Sequence, residues 1–310
     1  AVRMRTSGMT ILRNTIEFDY AFEESIRSAL PLCDEFIVVV GQSDDGTREA
    51  VEAMNEPKIR IVDTEWSKRI EPQKLVLAQQ TNIGLHLCRG DWVIYLQANE
   101  VLHESSLPVL EKAMDQYRED PRVEALLMER LEFYMDYDHF AEVYPYRYKY
   151  TPKILRPYIG TYSIRDAMSV AVFDHFSLRG RYPRSVDTGE DLFRYGQVRS
   201  RAAYETKQKN ATHLKDAPEK RPMEFDDQFK HFPRAFIQKY TGSHPAVMAE
   251  RIEKFQDQIS LEDPRWRTSV TFKERQRLAE TWFYKTFGIP GIRSKRYKLI
   301  GNYHPKDRSE

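Results

Sequence analysis

Cysteine is scarce in this chain: two residues in 310, Cys33 and Cys88. Both fall in apolar segments with no metal or redox spacing. That excludes a disulfide framework and a thiolate metal centre, and predicts two reduced, buried thiols in a reducing, cytoplasmic setting. An excess of one charge is missing too. Lys and Arg number 48 against 47 Asp and Glu, a formal net charge of +1, so no general electrostatic grip on nucleic acid is expected. No apolar run approaches the ~18–20 residues of a membrane-spanning helix, and the opening AVRMRTSG has no apolar core of a signal peptide. Glycine is absent from ILRNTIEFDY (11–20). With no GxGxxG after the first strand and no Walker A sequence, a dinucleotide site is not expected. The missing glycine-rich loop likewise argues against a sugar nucleotidyltransferase. Internal repeats and low-complexity tracts are also lacking.

What is present is a well-cored composition, 41% apolar and 31% charged, at a length that suits one large domain or one domain with an extension. The first half alternates strand and helix patterns. MTIL (9–12), the β-branched EFIVVV (35–40), KIRIVD (58–63) and WVIYL (92–96) read as strands. AFEESIRSAL (21–30, stopped by Pro31), REAVEAM and QKLVLAQQTNIGLHLC (73–88) read as helices, the last with Val76, Ile83 and Leu87 along one stripe. Such alternation predicts an α/β fold: a mostly parallel central sheet with flanking helices. Beyond the helix near 104–119, EALLMERLEFYM (124–135) and DLFRYGQVRS (191–200) read as strands, with a helix near 200–213. The stretch 134–162 is dense in Tyr, with Arg147, Lys149 and Lys153 interleaved. It either stacks on bases or sugars, or packs its rings in irregular structure. From about 216 the composition turns polar and proline-bearing. Two helices are then expected, one placing Met248, Ile252, Phe255 and Ile259 on a face and one over 272–287. The predicted division is a main domain at 1–215 and a helical C-terminal extension at 216–310.

Ligands of α/β sheets bind beyond the carboxyl ends of the strands. Three such ends carry chemistry-bearing residues: Arg13-Asn14, the turn 41–47 with Ser43, Asp44, Asp45, Gly46 and Thr47, and LQANE (96–100). The turn opens a helix, so it either holds an anion or is an Asp-capped turn. LQANE ends a buried strand where a carboxylate pair would make a metal site, yet it offers Gln97, Asn99 and one acid, Glu100. Lone histidines such as His175 and His213 read either as ligands or acceptor contacts or, as is commoner for a lone histidine, as structural. Glu104, after His103, reads as a helix cap, and Trp92 as core. The basic tail (292–308) is either a solvated terminus or a contact for an anionic membrane.

Taken in order, the strand ending in RN, FDYAFEESIRSALPL-DEF-VVVGQSDDGT, TN-GL before GDW, LQANEVLHE, Arg165-Asp166-Ala167, RYGQVR (194–199) and SHPAVM (243–248) resemble family 2 glycosyltransferases of the GT-A fold. They resemble most the subgroup with a QADE-like motif in place of DxD. The resemblance runs through most of residues 9–250. It implies a Rossmann-like GT-A sheet and an inverting transfer of sugar from a nucleotide-sugar donor to a hydroxyl of a glycan or lipid-linked acceptor. It implies donor contacts from Arg13, Asn14, Ser43, Asp45, Asn82, Gln97, Asn99 and Arg199. Asp166 would be the catalytic base, with Glu190 and Asp191 as an alternative acidic pair. His244-Pro245 would start a helix that closes over the acceptor. Such enzymes commonly hold a divalent metal, Mn²⁺ or Mg²⁺. Here Asn99 stands where relatives have Asp, and Arg194 where they have His. The first change removes negative charge and the second adds positive charge. Three readings stay open. Arg194, with Arg199, replaces the metal on the leaving diphosphate; a residual metal site uses Glu100 and the Asn99 carbonyl; or the site is degenerate and the protein only binds a nucleotide sugar or a partner. The location expected is cytoplasmic, with a peripheral membrane association in view of the tail.

Overall fold

The computed structural model describes residues 3–70, 75–142, 149–210, 223–287 and 296–305. The chain runs β1 (Thr6–Leu12), α1 (Phe22–Ala29), β2 (Glu35–Gly41), α2 (Thr47–Ala53), β3 (Ile59–Thr64), α3 (Leu75–Leu87), β4 (Trp92–Tyr95), β5 (Glu100–Leu102), α4 (Leu107–Gln116) and β6 (Ala125–Met135). It continues through β7 (His139–Ala141), β8 (Tyr150–Leu155), β9 (Thr161–Ile164), β10 (Ser169–Asp174), β11 (Arg179–Arg181), β12 (Arg184–Val198) and α5 (Arg201–Asn210). Then follow α6 (Gln228–His231), β13 (Ile237–Lys239), α7 (Ala249–Lys254), α8 (Phe272–Phe287) and β14 (Lys298–Asn302).

The main sheet has the order β13-β7-β6-β8-β4-β1-β2-β3. Its β3-β2-β1-β4 half is parallel, as the alternating strand and helix patterns require. β8 then enters antiparallel to both β4 and β6. β12 runs parallel to β6 and β14 and antiparallel to β5. Alternation along β2 divides its side chains between two cores. Phe36, Val38 and Val40 pack on α1, α2 and α4, whereas Ile37 and Val39 face α3 and the small β9–β11 sheet. Pro31 enters a one-turn 3₁₀ segment after α1, ending the helix as expected.

Residues after 216 do not form a purely helical extension. β13 pairs with β7 and β14 with β12, so this part of the chain is stitched into the main sheet. Phe225, Phe229, Phe236 and Trp266 pack on Tyr134 and Met135 of β6. Each such ring contributes ~1.5–3 kcal/mol of burial. The helix expected to carry Met248, Ile252, Phe255 and Ile259 ends at Lys254, and Phe255 is already extended. Tertiary contacts override the helical pattern there. Phe255 joins the Phe133–Tyr195 cluster, Ile259 reaches the Phe229–Trp266 cluster, and the Ile259 amide donates to Asp136 at 3.0 Å. The helix at 272–287 forms as expected. The expected boundary at 215 and 216, like Arg147 and His213, lies outside the described residues.

Candidate functional site

β1 is the switch point of the sheet, with β2 on one side and β4 on the other, both parallel to it. A cleft of about 840 Å³ opens at the carboxyl ends of these strands. This is the place where a doubly wound sheet leaves a crevice.

Its first wall is the loop after β1, zipped to the turn after β2. The Asn14 amide nitrogen donates to Ser43 Oγ at 3.1 Å, and Asn14 Nδ2 donates to Asp44 Oδ1 at 2.8 Å. Asp45 lies behind this wall. It accepts from the backbone of Thr47 and Glu17 and from the Thr47 hydroxyl. Burial opposes its ionisation, but these hydrogen bonds prevail and hold its carboxyl below the usual range. Asp45 thus holds the Thr47 amide at the start of α2, whereas Ser43 bridges the two loops, donating to the Gly41 carbonyl and accepting from the Asn14 amide. Asn14 and Asp44 line the cleft beside Arg13, whose guanidinium lies 4.8 Å over the Trp66 ring. Gly41 makes room for that indole, since a Cβ there would fall 2.3 Å from its nitrogen.

The opposite wall is the β9–β10 loop. Asn82 brackets Ser163, donating to its carbonyl and accepting from its amide at 2.6 Å. Ser163 Oγ in turn donates to the Asp166 carbonyl at 2.8 Å. The Tyr95 hydroxyl and Gln97 Nε2 both donate to the Ala167 carbonyl. Asn82 thus belongs to the scaffold of the loop, behind the residues that line the cleft. Asp166 does line it, with Oδ1 accepting from the Met168 amide at 2.9 Å.

The floor is LQANE. Asn99 is 7% exposed and lines the cleft, and its Oδ1 has no hydrogen-bond partner. Glu100 points the other way and is fully buried. Its Oε2 receives Lys153 Nζ at 2.5 Å and the Gln97 amide at 2.9 Å, and its Oε1 receives Arg130 at 3.4 Å. Burial would raise this carboxyl, yet Lys153 and then Arg130 hold it below its ordinary range. The residues present therefore do not fit the expected Mn²⁺ or Mg²⁺: the one acid of the motif is enclosed by cations, and a metal would have to displace both. Among the described residues, no group of three His, Cys, Asp or Glu is placed to hold a metal ion.

Arg194 completes the floor. On β12 it stands between Glu132 of β6 and Glu100 of β5, its cross-strand neighbours, and its Nη1 donates to Glu132. It also lines the cleft. Gly196 lets it approach Asn99: a Cβ at 196 would lie 2.8 Å from both Arg194 Nη1 and Asn99 Nδ2. Arg199 sits one layer back. Its Nε donates to the Phe18 carbonyl at 2.9 Å, and its guanidinium stacks 4.7 Å from the Tyr20 ring. Sequence reasoning did not single out Tyr20, Trp66, Lys207 or Lys209, all of which line the cleft. The two lysines come from α5, directly after RYGQVR. A basic helix following a site strand was the only available signal.

Several other expectations fall elsewhere. Glu190 and Asp191 lie on β12 but outside the cleft lining, and Asp191 is pushed up to about 6 by burial and by Glu129. His244 is a packing residue between the Tyr195 hydroxyl at 2.8 Å and the Tyr137 carbonyl at 2.9 Å. The described tyrosines of 134–162 are mostly packed or hydrogen-bonded, as Tyr134 is to the Gln228 carbonyl. Cys33 and Cys88 are free and buried. No helix among the described residues is long and apolar enough to cross a membrane.

Residues 21–169 match the model of a family described as Glycosyl transferase family 2. No curated protein matches the chain. Among solved structures, it is similar to residues 1–349 of TarS from S. aureus, at 19% identity and a TM-score of 0.36 over 50% of this chain and 48% of that one. A glucosyl-3-phosphoglycerate synthase from Mycobacterium tuberculosis, in complex with Mn²⁺, UDP and glucosyl-3-phosphoglycerate, aligns at 17% identity and a TM-score of 0.29 over 42% of this chain and 44% of that one. The mannosyltransferase PcManGT from Pyrobaculum calidifontis, in complex with GDP-mannose and Mn²⁺, aligns at 22% identity and a TM-score of 0.31 over 43% and 36%. The match to each of these structures therefore spans less than half of the other protein's length. Residues 21–169, just under half of the chain, thus resemble the glycosyl transferase family 2 model, and they lie in a mixed α/β fold with a mostly parallel central sheet.

Proposed function

We propose that the protein transfers a sugar from a nucleoside-diphosphate sugar to an acceptor hydroxyl of a glycan or lipid-linked acceptor, with inversion and without a divalent metal. The observation that carries this reading is the arrangement of charge in the cleft. A carboxylate, Asp166, stands on one wall, and cations from β12 and α5, Arg194 and Lys207, stand on the floor and far side. An inverting transfer needs both. A base takes the proton of the attacking hydroxyl, and fixed positive charge stabilises the departing diphosphate. Asp166 serves as the base. Arg194 serves the diphosphate, since a guanidinium pairs with phosphate oxygens in two-point contacts. Arg13, Asn14 and Trp66 form the wall for base and ribose. Gln97 and Asn99 face ribose and diphosphate, the unpartnered Asn99 Oδ1 being ready to accept from a donor hydroxyl.

The metal-free reading rests on Glu100. Lys153 and Arg130 already supply two positive charges to this acid, as a divalent ion would elsewhere. The test is transfer or donor hydrolysis, with UDP-, GDP- and TDP-sugars, in EDTA and in Mn²⁺. Turnover that persists in EDTA supports the reading; turnover abolished by EDTA and restored by Mn²⁺ overturns its metal-free part. The absence of both turnover and nucleotide binding overturns the whole.

A further inference from the structure

One side of α8 is tied to the body of the protein. Glu274 accepts from both terminal nitrogens of Arg267, Leu278 packs on the Phe229–Trp266 cluster, and Lys285 donates to Glu142. These residues stand at i, i+4 and i+11, a single stripe of a helix. At ~100° per residue, Phe272, Phe283 and Phe287 project from the opposite side. Solvent meets them there. Phe272 is 83% exposed, Phe283 and Phe287 are exposed as well, and Trp282, 63% exposed, borders them. The Trp282, Phe283 and Phe287 rings pack on one another. The Phe283 and Phe287 centroids lie 4.7 Å apart, and those of Trp282 and Phe287 6.1 Å. Lys273 and Arg275, both exposed, stand on the two borders of this aromatic face.

We propose that the outer face of α8 is a membrane-docking surface, which lays its aromatic rings among the headgroups of an anionic lipid bilayer. A contiguous patch of large rings in water marks a contact site. A helix with aromatic rings on one side and cations along the borders has the make-up of helices that lie in the plane of a bilayer surface. Tryptophan suits that position, with an apolar ring body and one polar N–H. Charge selects the kind of surface. Residues 272–310 hold ten Lys and Arg against four Asp and Glu, whereas the whole chain carries only +1. The residues before 272 are therefore net negative. An anionic surface attracts the C-terminal part of the chain and repels the remainder, which orients the protein as it approaches. A protein partner fits less well, because protein interfaces are depleted in lysine, and Lys273 directly follows Phe272. The ties of Glu274, Leu278 and Lys285 hold the helix ready-made, so docking carries no cost of folding it. The face is separate from the cleft, whose lining includes no residue of α8. The inference therefore does not depend on the transferase reading.

The experiment is co-sedimentation of the full chain with vesicles, either pure phosphatidylcholine or phosphatidylcholine mixed with phosphatidylglycerol. Wild type is expected to bind the mixed vesicles and to bind the neutral ones far less. Its affinity should fall as salt rises, since the screening length shortens from ~10 Å at 0.1 M to ~3 Å at 1 M. The double variant Phe283→Ser with Phe287→Ser should weaken binding roughly tenfold or more, because two inserted rings are lost. Lys273→Glu with Arg275→Glu should weaken it on the mixed vesicles. Brominated lipid should quench the tryptophan fluorescence of the bound wild type. Trp92 and Trp266 are buried, so Trp282→Phe should bind yet lose most of that quenching. No binding to the mixed vesicles overturns the proposal, as does binding that the double variant retains in full. Equal affinity for both kinds of vesicle, or equal quenching in Trp282→Phe, overturns it too. Dimerisation that is lost in the double variant, without vesicle binding, would give the face to a second copy of the chain instead. Should the double variant fail to fold, the quenching of wild type against Trp282→Phe decides alone.

Discussion

Lys153 sets its ammonium nitrogen 2.5 Å from Oε2 of Glu100, and both side chains are buried. Arg130 shares the acid from the other side. Breaking such a pair from one end leaves a charge in the core with no counter-charge. Glu100→Gln is therefore expected to cost about 3–5 kcal/mol of stability, read by chemical denaturation with and without Mn²⁺. An effect of that size, equal in both buffers, fits a structural acid. A loss seen only with Mn²⁺ present would reinstate Glu100 as a metal ligand.

Gly196 is expected to matter for rate more than for folding. Alanine there would place its Cβ 2.8 Å from both Arg194 Nη1 and Asn99 Nδ2, so one of them must shift. Misplacement of about 1 Å can cost on the order of a hundredfold in rate. Gly196→Ala should lower kcat by tenfold or more in this sense, with a melting temperature within a few degrees of wild type. Unchanged kcat would separate Arg194 and Asn99 from the chemistry.

Asp166→Asn retains the acceptor oxygen that receives the Met168 amide, so the loop should hold its shape. The loss of the base should cost about 10²–10⁴ in kcat with nucleotide affinity unaltered in calorimetry. Full activity would reduce Asp166 to a loop clamp.

Acid stability should depend on Glu124. This acid joins the start of β6 to the hairpin and strand that follow, accepting two hydrogen bonds from Arg181 and two from the backbone and side chain of Arg184. Burial opposes its ionisation, but Arg181 and Arg184 outweigh it and lower the group from 4.5 to about 2. A depressed carboxylate contributes its stability above the unfolded value and loses it as the proton is regained. Part of the wild-type stability should therefore disappear as pH falls from 4.5 towards 2. Glu124→Gln should be less stable at neutral pH and flatter across that window, as followed by denaturation midpoints. An equally steep acid loss in the variant would assign it to other groups.

The parallel half of the fold was legible because its signals are local. EFIVVV is β-branched and buried, Pro31 halts a helix, and a turn rich in Asp and Gly opens α2. The cleft residues at the ends of β1 and β4 followed from that topology. Glu100 was not legible, because its fate depends on Lys153 and Arg130, 53 and 30 residues away, brought beside it by sheet pairing. Tyr20 and Lys207 meet only because β12 carries α5 back over the loop after β1. The end of α7 at Lys254 was hidden for the same reason: its apolar spacing is helical, but Phe255 and Ile259 are claimed by two different clusters.

The pairing of β14 with β12 has a consequence for synthesis. β12 (Arg184–Val198) leaves the ribosome well before its partner at 298–302. Until that partner follows, the early part of β12 presents unsatisfied backbone groups along one edge, the kind of edge that recruits other strands. A nascent chain or a fragment cut near residue 215 would carry that open edge together with the bare rings of Tyr134 and Phe133. Such a fragment should be prone to self-association, so a working recombinant form needs the segments that cover β6 and β12 as much as its cleft.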